Sequence, residues 1–133
     1  MHLLIDLFVL IEVRPVIGET RFDLSVAELD ERAVPLFAIT NFSADFWRPF
    51  RAKEDAFFSR FRDIIVSGEE KLMKPDPALY YRALDRFGLK PAEALFVDDR
   101  KINVEGAEAV GMKAHLFTDA EDLRRRLEAE RLL

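Results

Sequence analysis

The chain has no cysteine. That removes disulfides, thiolate metal centres and a cysteine nucleophile together. It also lacks a basic leader running into an apolar core, and no apolar run approaches the ~18 residues a membrane span needs. The apolar opening, Leu3 to Val13, is broken by Asp6 and Glu12. Neither a signal peptide nor a membrane partner is expected, and the default location is cytoplasmic. No basic cluster interleaved with aromatics is present. Arg124, Arg125 and Arg126 adjoin one another, but in a helical stretch rich in Glu and Asp that reads as a solvated face. With a net charge of −5, this argues against a nucleic-acid partner. Internal repeats and low-complexity segments are missing too. What remains is 133 residues, 50% hydrophobic and 34% charged, enough for one domain with a single core.

The most informative stretch is 94–111, ALFVDDRKINVEGAEAVG. Ala94, Leu95, Phe96 and Val97 form an apolar run without alternation, the mark of a strand buried on both faces of a parallel sheet. Asp98 and Asp99 follow at its carboxyl end, where ligand crevices lie in such sheets. Adjacent carboxylates repel unless a cation or proton intervenes. One reading is a magnesium site, because magnesium takes one or two carboxylates plus waters and phosphate oxygens. The other is a helix cap beside a solvated Asp.

Along the chain, residues 3–11 (LLIDLFVLI) fit a buried strand or a short buried helix, with β-branched content favouring the strand. Residues 12–24 read as a connection. Ser25 and Glu28 have the spacing of a capping box and predict a helix from Ser25 to about Ala33. A strand follows at Pro35–Thr40, and Asn41, Phe42 and Ser43 make the turn after it. From Ala44 to Phe61 the pattern is helical, with Pro49 predicting a kink or two pieces. Six of the twelve phenylalanines lie between Phe42 and Phe61, a core cluster or an apolar wall over a site. A strand at Ile64–Val66 and a charged loop lead to a helix with Asp76 as N-cap, Pro77 at its first position and Gly88 past its end. The strand 94–97, a helix from Ile102 to Val110, a strand at 113–117 and a helix capped by Asp119 complete the chain. The tail, Leu132-Leu133, is expected to fray. Alternating strands and helices predict an α/β fold, a doubly wound parallel sheet in a three-layer α/β/α arrangement.

Three polar groups follow strand ends and can converge on one crevice: Thr40-Asn41, Lys74-Pro75 and Asp98-Asp99. Thr40 and Asn41 offer a hydroxyl and an amide to an anion, Lys74 a compact cation, and the aspartates a metal site. As an ordered set, these stretches resemble the haloacid dehalogenase-like hydrolase superfamily. FAITNFS resembles its second motif, KLMKPDPALYYRAL its third and ALFVDDRKINVEGAEAVGMKA its fourth, with Asn103 in the accompanying loop. The resemblance covers roughly Ser25 to Leu127, and the double aspartate is closer to the phosphatase branches than to the dehalogenases.

The resemblance implies a Rossmann-like core and hydrolysis through an aspartyl intermediate. The substrate would be a small-molecule phosphate ester, bound by Thr40, Asn41 and Lys74, and Asp98 and Asp99 would hold Mg2+. Lys74 and a nucleophilic Asp would be the catalytic pair. Asp6 is the nucleophile candidate, although Phe8 stands where the phosphatases carry their acid/base Asp. The gap from Asp6 to Thr40 leaves no room for a sizeable cap domain. The chain thus reads as one core domain, with residues 1–24 either its first strand or the remnant of a cap. An open crevice suggests a homo-oligomer that covers it. The alternative is a catalytically impaired or truncated relative with a binding or structural role. Dehalogenase activity and a phosphorylation-receiver module fit less well, the latter because its Lys-Pro follows its acidic pair in the chain. His2 and His115 do not form a metal pair.

Overall fold

The computed structural model describes residues 8–11 and 20–133, with side chains from Ser25 onward. Five strands form one sheet in the order β3-β2-β1-β4-β5. They are β1 (Phe8–Ile11), β2 (Leu36–Thr40), β3 (Asp63–Val66), β4 (Ala94–Asp98) and β5 (Lys113–Leu116). All pairings are parallel. The chain steps outward from β1 through β2 to β3, then crosses to the other side of β1 for β4 and β5. That reversal makes β1 the switch point of a doubly wound sheet.

Residues 8–11 therefore take the central slot as a strand, Ile11 pairing with Ala38 on one side and Val97 on the other. The rest of the 3–11 reading lies outside the described residues.

Burial explains why β2 and β4 read as unbroken apolar runs: every residue of both is buried. Alternate side chains serve opposite faces. Leu36, Ala38, Leu95 and Val97 pack towards α1 (Thr20–Glu31), α2 (Ala44–Lys53), α3 (Asp55–Phe58) and α7 (Ala120–Ala129). Phe37, Ile39, Ala94 and Phe96 pack towards α5 (Pro77–Phe87) and α6 (Lys101–Ala109). The result is a three-layer α/β/α sandwich. No helix among the described residues is long and apolar enough to cross a membrane.

Helix punctuation behaves as its chemistry requires at α5, where the Asp76 carboxylate accepts the Ala78 N–H and Gly88 takes the left-handed turn at φ 72°. Elsewhere tertiary partners overrule local signals. The capping-box reading at Ser25 is corrected: α1 begins five residues earlier, at Thr20, inside the expected connection. Ser25 is buried in mid-helix, and Glu28 pairs with Arg124 of α7 at 3.0 Å. The same i, i+3 spacing occurs within any helix, so the motif marked a helix without marking its start. Pro49 is accommodated inside α2, and the break comes at Glu54 instead. The charged loop contains a short helix, α4 (Ser67–Glu70). The tail is also corrected: Leu132 is buried, and its N–H donates to Leu127 O at 2.9 Å.

Candidate active site

Three loops meet at the carboxyl end of the sheet. β2 ends at Thr40, which is fully buried, and the chain turns through Asn41. The Asn41 amide reaches across to the loop before α5. Lys74 N–H donates to Asn41 Oδ1 at 3.0 Å, and Asn41 Nδ2 donates to Lys74 O at 3.2 Å. This two-point clamp uses one side chain as a strand would use its backbone. The next residue binds the β3 side: Phe42 N–H donates to Ser67 Oγ at 2.9 Å, and Gly68 N–H donates to Phe42 O at 3.0 Å. A Cβ on Gly68 would sit 2.3 Å from Ala44 N, so only glycine lets the two loops touch.

The clamp delivers the Lys74 side chain into the core. Its Nζ donates to Asp98 Oδ2 at 2.8 Å and to Ile39 O at 3.0 Å, and lies 5.5 Å from the centre of the Phe96 ring. Both side chains of the Lys74–Asp98 pair are 0% exposed. Dehydrating two ions costs several kcal/mol each, so such a pair persists only with good geometry and with its remaining hydrogen-bonding capacity filled. Here the carboxylate is well supplied. Arg100 N–H donates to Asp98 Oδ1 at 2.8 Å, and Asn103 Nδ2 donates to Oδ2 at 3.1 Å.

Asn103 is buried in α6, and its own carbonyl accepts the Tyr80 hydroxyl at 2.7 Å. Burial, and then the negative charge of Asp98, raise the Tyr80 phenol well above its ordinary range, so it remains a donor. Gly106 brings α6 close to this loop. A Cβ there would lie 3.0 Å from Pro75 Cβ and from Tyr80 Cε2.

Sequence reasoning grouped Thr40, Asn41, Lys74, Asp98 and Asp99. The structure sets all five in the loops and strand ends of this edge, with Asn41, Lys74 and Asp98 in direct contact. Asp6 lies outside the described residues. In the chain it precedes Phe8, whereas the crevice end of β1 is Ile11, followed by Glu12.

A magnesium ion can be tested against the donor set. Both Asp98 oxygens already accept N–H donors, so Asp98 fits a metal poorly. Asp99, the first residue beyond β4, is an exposed carboxylate and suits a cation that needs only one or two carboxylates plus waters and phosphate oxygens. Among the described residues no three His, Asp or Glu converge on a common point.

Three neighbours of the site were missed in the sequence. Lys71, Met73 and Arg100 line a cleft of about 490 Å³ that also includes Asn41, Phe42 and Leu72. Arg100 follows the acidic pair directly, and Lys71 belongs to the charged loop; that adjacency was the only signal. A second cleft, about 510 Å³, lies between α1 and α7, where Glu28 and Arg124 are already paired with each other. His115 is on β5, with Nε2 3.1 Å from Asp122 Oδ2 but not aligned for a hydrogen bond. Burial lowers its pKa.

Comparison with known proteins agrees with the fold. A family model described as haloacid dehalogenase-like hydrolase matches residues 13–111. Phosphoglycolate phosphatase of Pectobacterium atrosepticum is 30% identical over 91 residues, covering 68% of this chain. The match covers only 38% of that enzyme, so this chain corresponds to well under half of it. An uncharacterised protein from Corynebacterium glutamicum has a similar fold, with TM-score 0.78, 20% identity, and coverage of 94% of this chain and 95% of the other. An enzyme of Bacteroides thetaiotaomicron, solved in complex with magnesium and inorganic phosphate, aligns with TM-score 0.61 and 23% identity over 76% of this chain and 53% of its own.

Proposed function

This chain belongs to the haloacid dehalogenase-like hydrolase family, and from that premise we propose that its strand-end crevice is a phosphatase-type site for a small phosphate monoester. The observation that carries the reading is the locked cation. Lys74 is held by a carboxylate, a backbone carbonyl and a side-chain clamp, bridging the carboxyl-end strands β2 and β4 that flank β1. A fixed positive charge in a low-dielectric floor stabilises charge developing on a phosphoryl group without having to reorganise. Phosphatase relatives such as the P. atrosepticum enzyme support the same chemistry.

Each residue then has a defined task. Lys74 supplies the charge, with Asp98 and Asn41 fixing where it sits. Thr40 and the turn after it border the phosphoryl group. Asp99 would hold magnesium. When bound, that ion would supply charge neutralisation on phosphate oxygens. The crevice would act on a metabolite in the cytoplasm, with no nucleic acid or membrane involved, and a homo-oligomer would cover its open side.

A second reading has its own support. Because β1 runs Phe8–Ile11, Asp6 comes before the strand in sequence rather than after it. On that reading the chain binds phosphate esters but does not hydrolyse them through Asp6. One experiment addresses both: hydrolysis of an aryl phosphate, with and without magnesium, by the wild type, Asp6→Asn and Asp99→Asn. The phosphatase reading expects magnesium-dependent turnover that Asp99→Asn abolishes, and Asp6→Asn also abolishes it where Asp6 is the nucleophile. No turnover alongside saturable, competitive phosphate binding selects the second reading. Absence of both turnover and phosphate binding contradicts the site altogether.

A further inference from the structure

Resting on the phosphate-ester reading, we propose that the cleft beside Lys74 recognises a second anionic group on the leaving portion of the substrate, through Lys71 and Arg100. The cleft holds about 490 Å³, within the ~300–1,000 Å³ range of small-molecule sites and more than a phosphoryl group fills. Among the described residues its lining contains no acidic side chain, in a chain where Asp and Glu outnumber Lys and Arg 25 to 20. A cleft of this sign on a protein of the opposite sign selects anions.

Among the described residues, the side chains of Lys71 and Arg100 form neither an ion pair nor a hydrogen bond. Both are nevertheless anchored at the backbone. Lys71 ends α4 in the left-handed conformation at φ 58°. Arg100 N–H is fixed to Asp98, the same carboxylate that holds Lys74. The same cleft is lined by Phe42, Leu72 and the exposed Met73, next in the chain to Lys74. Unpaired cations around an apolar floor match a carboxylate or second phosphate on a short carbon linker. A neutral alcohol would leave both charges unused.

The test uses phosphonates, whose P–C bond is not hydrolysed, so the outcome does not depend on a nucleophile. Affinities of 3-phosphonopropionate, propane-1,3-diylbisphosphonate and propylphosphonate are measured by calorimetry at low salt, with inorganic phosphate as competitor. At least one dianionic-ended probe is expected to bind about tenfold tighter than propylphosphonate, a size suited to two exposed cations. Which probe shows the gain tells carboxylate from phosphate. Lys71→Met with Arg100→Gln should reduce that preference to about onefold and leave propylphosphonate affinity unchanged. Raising the salt should shrink it as well. Equal binding of all three probes by the wild type overturns this proposal and leaves the phosphate site standing. No binding by any probe or by phosphate overturns both.

Discussion

The two faces of the sheet are built on different physics. Towards α2 and α3 the packing is aromatic: Trp47 meets Phe58 edge to face at 5.1 Å, Phe42 stacks on Phe50 at 4.9 Å, and Phe57 and Phe61 extend the group. Towards α5 and α6 the outer core is as apolar, but at the carboxyl end it encloses a polar chain running Lys74–Asp98–Asn103–Tyr80. The aromatic face gains stability from area and shape, and small changes there cost in proportion to volume. The polar face adds an all-or-nothing element, because removing one partner leaves another buried and unsatisfied. The crevice lies above the polar face's network. Trp47, Phe58 and Phe61 of the aromatic cluster are buried core, whereas Phe42 also lines the cleft at the site and Phe46 is exposed.

The sharpest way to break the contrast is Lys74→Met, which strands Asp98 as an unpaired buried charge. A loss of about 3–5 kcal/mol in denaturant unfolding is expected. Adding Asp98→Asn to that variant should recover much of it, and additive losses would contradict a coupled pair. Next is Gly68→Ala. Its Cβ collides with backbone of the β2–α2 turn, so a cost of about 1–3 kcal/mol and weaker phosphate binding are expected together. On the aromatic face, Phe58→Leu should cost about 1 kcal/mol and leave phosphate affinity untouched, as titration calorimetry would show.

The smallest effect concerns His115. Burial depresses its pKa in the folded state, partly opposed by Asp122, so the unfolded chain binds the extra proton first. This contribution to stability is complete above the unfolded value of about 6.5 and is lost as pH falls through the lower folded value. His115→Gln should flatten the melting temperature across that window.

Local chemistry made much of the fold legible. Continuous apolar runs gave β2 and β4, and Asp76, Pro77 and Gly88 bounded α5. Signals failed where a distant partner changed their meaning. The Ser25–Glu28 pair looked like a helix start, but Glu28 answers Arg124, 96 residues away. Leu132 looked like a loose end, but it packs with Leu123 and Leu127 in the core. At the site, residue types and order brought Thr40, Asn41, Lys74, Asp98 and Asp99 together on paper. Their division of labour was not legible. That the Asn41 amide is engaged by the Lys74 backbone, and that the Lys74 ammonium is engaged by Asp98, depends on contacts 33 and 24 residues apart in sequence.

The most direct test of the central claim is a titration of the isotope-labelled protein with inorganic phosphate, followed by backbone amide chemical shifts. Saturable shifts are expected, concentrated in the Asn41–Ser43 turn, the loop around Lys74 and the residues from Asp98 to Lys101. Shifts that fail to saturate, or that gather instead between α1 and α7, would contradict the claim.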